Sequence, residues 1–332
     1  MSIISKYKKN ILFIFDKFLL FLLLPSAVIM KLYRRLGSQN LPSSSYLLKK
    51  IGVFPIRDHY YEPLFNSNNL DRQKIRNRSL PGIKLNDEFQ KDFISKLQFS
   101  KELLDLNLKN SENNMDFHFN NGSFESGDAE MLYQFIRNTN PSKIIEIGSG
   151  NSTKIAAAAL EKNKEDNGLN AEHICIEPYE MPWLEKMNNV QLIRRDIQTV
   201  DFDWSSILSE GDLLFIDSTH IIQPQGDVLH IYLKILPLLS KGVNIHIHDI
   251  FLPNDYLEEW LFEDVRLWNE QYLVETILST SDQYKILISL NYMWHKYPSL
   301  VRKVCPYIDD EELLSTYDTD LREPGSLYLR KL

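Results

Sequence analysis

From about Phe124 the hydrophobic pattern consists of short apolar runs separated by longer stretches with helical spacing. That alternation predicts a parallel sheet with crossover helices. The runs are KIIEIG from Lys143, HICIE from His173, VQLIRRD from Val190, DLLFID from Asp212 and VNIHIHD from Val243. Helical stretches lie around Thr153 to Lys162, Pro182 to Met187 and Asp227 to Leu239, and GDAEMLYQFIRNTNP predicts a helix ending before Pro141. Four of the expected strands end in a carboxylate, Glu177, Asp196, Asp217 and Asp249. In an open parallel sheet those ends converge on the ligand crevice. A helical segment from Tyr256 follows, and then two late runs, YKILISLNYM from Tyr284 and GSLYLRKL from Gly325, predict a hairpin added to the sheet.

The chain before this region has another character. Ile11 to Met30 is nearly all apolar, broken by Asp16, Lys17 and Pro25, with Lys6, Lys8 and Lys9 before it and Lys31, Arg34 and Arg35 after it. A spanning helix needs roughly 20 apolar residues. An interfacial helix on an anionic leaflet suits both the interruption and the basic flanks. A secretory signal lacks its small-residue cleavage pattern here, and a helix packed on the protein's own core is the remaining alternative. Residues 1–40 are therefore expected to associate with a membrane. Residues 41–123 are turn-rich, with a helical candidate from Glu88 to Leu106 and an aromatic segment, Phe54 to Phe65, that either caps the fold or lines a substrate mouth. They are expected as an extension or cap on a main domain covering residues 124–332.

At 332 residues, 43% of them hydrophobic, the chain can bury one large core plus an appendage. A net charge of -8 gives no general attraction to polyphosphate, so no nucleic-acid partner is expected. Cys175 and Cys305 form neither a zinc spacing nor a disulfide framework, which fits a reducing, cytosolic setting. The expected location is cytoplasmic, at the inner face of the cell membrane.

The chemistry starts at EIGSGNST, which opens at Glu146. Gly148 and Gly150 allow a tight turn and a close approach to a ligand at the start of a helix. A dinucleotide fingerprint wants Gly or Ala at the place held by Thr153, which weakens the nicotinamide alternative. Glu146 would repel a diphosphate and favour a charged amine or sulfonium. Glu177 can accept from two ribose hydroxyls, and Asp196 suits an adenine amino group.

Together, EIGSGNST, CIEPYE, RRDI and LLFIDSTH resemble the successive motifs of class I S-adenosylmethionine-dependent methyltransferases. With HIHDIF, the set is similar to a bacterial branch of small-molecule and sugar methyltransferases, over roughly residues 124–332. The resemblance implies a Rossmann-like fold, with a seven-stranded, mostly parallel sheet that closes on an antiparallel hairpin. It implies that Glu146 and the Gly148, Ser149, Gly150 backbone hold the methionine part, with Asn151 and Ser152 beside them. Glu177 and Pro178 would hold the ribose, Asp196 and Ile197 would edge the adenine, and Tyr179 would pack next to it. Ser152 departs from the third glycine of many members.

Methyl transfer requires an acceptor held in line and relieved of its proton. The strand ends FIDSTH and HIHDIF bring together Asp217, His220, His248 and Asp249 as candidate bases. Asp217, Asp249 and His248 are also candidate ligands for a divalent ion such as Mg2+. In the metal-free alternative, His220 or His248 is the general base. His246 reads as a buried strand residue, and Asp227 as a helix cap. The expected activity is O-methylation of a small-molecule acceptor, or of a glycan or lipid-linked sugar, at a membrane surface. The alternative from outside enzymology is a scaffold on a retained methyltransferase fold.

Overall fold

A computed structural model describes residues 3–106, 108–109, 115–316 and 323–332. The chain divides into two compact units, Met1–Leu70 and Asp71–Leu332. The expected boundaries at residues 40 and 123 do not coincide with that division.

In the first unit a long helix, α1 (Ile3–Leu36), carries Pro25 within it and is followed by α2 (Pro42–Ile51). Ile11–Leu36 is long and apolar enough to cross a membrane, by length and composition. The interrupting charge at Lys17 lies over the ring of Phe13, 5.2 Å from its centroid. The end of α1 is tied to the segment after α2. Arg34 donates to both oxygens of Glu62, with Nε at 2.9 Å from Oε1 and Nη2 at 2.7 Å from Oε2, and the hydroxyls of Tyr33 and Ser45 are 2.7 Å apart.

In the second unit the expected helix over Glu88 to Leu106 is two helices, α3 (Asp87–Ser95) and α4 (Ser100–Asp105). Asn86 caps α3 through its side chain, which accepts from Phe89 N. Ile94, Leu103, Phe117 and Phe119 are buried in one core with Phe135, Ile144 and Phe215, so the described residues between 87 and 124 belong to the main fold. Then come α5 (Asp128–Thr139), β1 (Lys143–Ile147), α6 (Asn151–Asn167), β2 (Glu172–Ile176), β3 (Gln191–Ile193), β4 (Leu213–Ile216), β5 (Asn244–Ile247), β6 (Tyr284–Ser289) and β7 (Leu327–Lys331).

These strands form one seven-stranded sheet in the order β3-β2-β1-β4-β5-β7-β6. The first five are parallel, and β7 runs antiparallel between β5 and β6. Their near-continuous apolar runs reflect burial on both faces. Ile144 and Phe215 face one core, whereas Ile145, Ile147, Leu214 and Ile216 face the other. The segment from Tyr256 is not one helix. It breaks after Phe262, and a new helix starts at Glu270, leaving Arg266 and Trp268 on an irregular stretch.

Candidate active site

Adjacent strand ends enclose a cleft of about 700 Å³, lined by residues 147–152, 176–181, 196–198, 217–219 and 223–227. The turn after β1 is locked between its neighbours. Gly148 N donates to Ile176 O at 3.0 Å, and Asp217 N donates to Ile147 O at 2.9 Å. Gly148 has φ +81, and a Cβ there would lie 1.7 Å from the carbonyl oxygen of Asp217. Only glycine fits. The first turn of α6 then opens at the cleft from Asn151.

Gly148, Ser149, Gly150, Asn151, Ser152, Glu177, Pro178, Tyr179, Asp196 and Ile197 all line this cleft, but Glu146 does not. Glu146 points to the opposite side of β1 from Ile147, beneath α6. There its carboxylate accepts from Thr153 Oγ1 at 2.7 Å and meets His173 Nε2 at 2.6 Å. The expectation that Glu146 touches the cofactor is corrected by the two-residue alternation of the strand. The same bond accounts for Thr153, whose hydroxyl satisfies a buried acid that a third glycine could not.

Just after β2, Glu177 Oε1 accepts from Tyr179 N and Glu180 N, each at 2.9 Å, which fixes the acid at the cleft wall. Tyr179 is 79% exposed, and its hydroxyl donates to Asp196 Oδ1 at 2.8 Å. Ser149 and Ser218 present buried hydroxyls with no hydrogen-bond partner among the described residues, and both line the cleft. Unpartnered buried hydroxyls of this kind suit a polar ligand.

Beyond Asp217 the cleft meets a second cavity of about 430 Å³, and the two share Ser123, Asp217, Ser218 and Thr219. Asp217, His220, His248 and Asp249 converge on it. His220 Nε2 is 3.2 Å from Asp217 Oδ1 and 3.4 Å from Asp249 Oδ2. His248 Nδ1 is 3.6 Å from Asp217 Oδ1 and 3.5 Å from Asp249 Oδ2, and its Nε2 is 3.3 Å from Asp128 Oδ2. Neither ring nitrogen of His248 has a hydrogen-bond partner among the described residues. His220 and Asp249 both hold left-handed backbone, at φ 59 and 58, an uncommon state for residues with a Cβ that concentrates at functional sites.

Asp128 and Trp268 also line this cavity, and Glu270 stands behind His220. Glu270 is fully buried and its Oε2 lies 2.8 Å from His220 Nδ1. Trp268 covers the His220 ring with centroids 4.3 Å apart. Asp128 accepts from Gly325 N while facing His248. Burial would lower the pKa of His220, but Asp217, Glu270 and Asp249 outweigh it and push it up to about 10. Burial would likewise raise Asp217, yet His248 and His220 hold it below the usual carboxylate range. Four carboxylates thus surround two imidazoles.

Other expectations resolve locally. His246 is buried, stacked on Tyr328 at 4.1 Å, with Nε2 2.8 Å from Ser326 Oγ. Asp227 accepts from Thr219 N, Thr219 Oγ1 and Val228 N and so holds the turn before its helix.

A family described as a methyltransferase domain matches residues 145–250, the span from β1 to the end of β5. An uncharacterised protein of Archaeoglobus fulgidus is 30% identical over 171 residues, which cover 48% of this chain and 75% of that protein. The chain belongs to the class I S-adenosylmethionine-dependent methyltransferases. Solved structures similar to this methyltransferase include CalS11, a TDP-rhamnose 3'-O-methyltransferase of calicheamicin biosynthesis, at 14% identity and TM-score 0.38, covering 79% of this chain and 99% of that one. The plantazolicin methyltransferase BpumL follows at 15% identity and TM-score 0.33, covering 74% and 97%. TomG of Streptomyces achromogenes, an O-methyltransferase of tomaymycin synthesis, has 15% identity and TM-score 0.30, covering 75% and 91%. The methyltransferase uses S-adenosylmethionine, and the nicotinamide alternative falls.

Proposed function

We propose that this enzyme methylates a hydroxyl of a polar small-molecule or glycan acceptor seated in the cavity beside Asp217, with a divalent cation held by Asp217, His248 and Asp249. The observation that carries the reading is that cluster. One donor atom from each of the three residues lies within 4.8 Å of the others, and neither nitrogen of the His248 ring has a hydrogen-bond partner among the described residues. The two carboxylates suit Mg2+ or Mn2+, and the imidazole tilts the set toward a transition metal.

On this reading the turn from Gly148 to Ser152, with Glu177, Pro178, Tyr179, Asp196 and Ile197, holds S-adenosylmethionine. When bound, the cofactor supplies an electrophilic methyl group. The adjacent cavity positions the acceptor oxygen beside Asp217, His220 and Asp249, the groups available to take up its proton. A cation in the cluster would supply positive charge that lowers the pKa of an acceptor hydroxyl. The His220–Glu270 pair favours a second reading, without metal. There Glu270 orients the ring and His220 receives the proton in its neutral form, so turnover should rise as pH climbs toward about 10.

The apolar α1 supports placing the enzyme at the cytoplasmic face of a membrane, which would suit a lipid-linked sugar as acceptor. Removing residues 1–40 is expected to shift the protein from the membrane to the soluble fraction, and unchanged partitioning would end that part of the reading. Calorimetric titration of S-adenosylhomocysteine, repeated with Glu177→Ala and after chelation, tests the rest. Saturable binding that weakens in the variant supports the cofactor assignment. No binding by a folded sample would favour the scaffold alternative.

A further inference from the structure

We propose that residues 42–65 form an interfacial collar that rests at the headgroup level of an anionic bilayer and fixes the depth of α1. The inference rests on the membrane reading of α1 and extends it to a segment that the sequence left between a cap and a substrate mouth.

Exposed apolar surface is concentrated there. Nine large apolar side chains between Tyr46 and Phe65 are exposed, against eight in all the described residues of the much longer second unit. Tyr60 is 89% exposed, Tyr61 83%, Phe54 70% and Tyr46 69%. A soluble protein scatters such residues singly, and clustering of this density marks an interaction surface.

Its chemistry selects a lipid surface over a protein groove. Tyrosine favours the boundary between hydrocarbon and water, where the ring is buried and the hydroxyl is wet. Residues 31–65 hold Lys31, Arg34, Arg35, Lys49, Lys50 and Arg57 against Asp58 and Glu62, a basic island in a chain of net charge -8. Basic groups beside interfacial aromatics are what an anionic leaflet attracts.

The collar is tied to the helix it would stop. The fork between Arg34 and Glu62 and the Tyr33–Ser45 contact hold the segment against the end of α1, and Tyr60 and Tyr61 directly precede Glu62. Residues 11–30 span about 30 Å at helical rise, close to the thickness of a hydrocarbon core. With that stretch in hydrocarbon, the Arg34 end stands at the headgroups, where the collar can lie flat.

The test uses thiol labelling of the full chain. Both native cysteines are buried, so Tyr61→Cys, Phe21→Cys and Leu233→Cys each add an accessible thiol for an environment-sensitive fluorophore. The proteins are reconstituted into phosphatidylcholine vesicles with and without phosphatidylglycerol. The label at position 61 is expected to be quenched several-fold more by a nitroxide near the headgroup than by one at the acyl end, and to lose several-fold in iodide access relative to position 233. Lys49→Glu with Lys50→Glu is expected to abolish the gain in shielding given by phosphatidylglycerol. If position 61 stays as open to iodide as position 233 while position 21 is shielded, the collar is wrong and the membrane helix stands. If position 21 is open as well, the membrane reading fails and takes the collar with it. Shielding of position 61 without vesicles would assign the surface to a second copy of the chain and overturn the proposal.

Discussion

The carboxylate of Glu146 lies 2.6 Å from Nε2 of His173 with neither side chain exposed to solvent, directly beneath the turn that begins at Gly148. The pair supports the cofactor turn from below and takes no part in lining the cleft. Glu146→Gln leaves the imidazole facing a neutral amide and is expected to cost about 3–5 kcal/mol, read from urea unfolding. Affinity of the folded variant for S-adenosylhomocysteine should fall less than in Glu177→Ala. The opposite ranking would return Glu146 to the cofactor site.

The same pair sets a pH dependence. Burial would lower the pKa of His173, but Cys175 and Glu146 outweigh it and raise it to about 10. In the unfolded chain the ring titrates near 6.5. The contribution is therefore complete below about 6.5 and lost as pH rises toward 10. Thermal unfolding between those values should show a falling midpoint, and the slope should flatten in His173→Gln.

Gly148→Ala places a methyl group against the Asp217 carbonyl in a left-handed backbone. A loss of more than about 3 kcal/mol is expected, because overpacking and backbone strain coincide. Far-UV circular dichroism and denaturant melts would register it. A stable, cofactor-binding variant would contradict the geometry of the turn.

Glu177→Ala removes a carboxylate already fixed by two backbone amides at the cleft wall. Losing charge-assisted hydrogen bonds to a diol should cost about 1.5–3 kcal/mol, roughly 10- to 100-fold in the dissociation constant of S-adenosylhomocysteine. Calorimetry reads it directly, and an unchanged constant would remove Glu177 from the ribose site.

For the cation, titration with Mn2+ followed by electron paramagnetic resonance should show one site per chain. Asp217→Asn or Asp249→Asn is expected to weaken it by at least about tenfold, because each removes a direct charged ligand. Equal Mn2+ binding by all three proteins would favour the metal-free reading built on His220 and Glu270.

The strands were legible because apolar runs buried on both faces leave little ambiguity, and the rim acids because each closes such a run. Which face an acid takes was harder. Glu146 and Asp217 look alike in sequence, yet one precedes the turn by two residues and faces the helix layer while the other ends its strand over the cleft. Asp128 read as the start of a helix, and nothing local links it to His248, 120 positions away. Glu270 and Trp268 sat inside an apparent helix that breaks, with Arg266 stacked near Trp260 and Trp268 in the gap. The stretch from 87 to 124 looks polar and turn-rich because the residues that reach the core, Ile94, Leu97, Leu103, Leu108, Phe117, Phe119 and Phe124, are spread along it without a sustained helical or strand period.

The position of β7 bears on how the protein is made. It lies between β5 and β6, pairing Ile245 with Leu329 on one side and Ile286 with Leu329 on the other. Both neighbours leave the ribosome before the strand that must separate them. Until then β5, which leads into Asp249 two residues beyond its end, presents an unpaired apolar edge, the feature that recruits foreign strands and starts aggregation. Synthesis of this enzyme thus passes through an interval in which the strand leading to its reactive rim is also its stickiest surface.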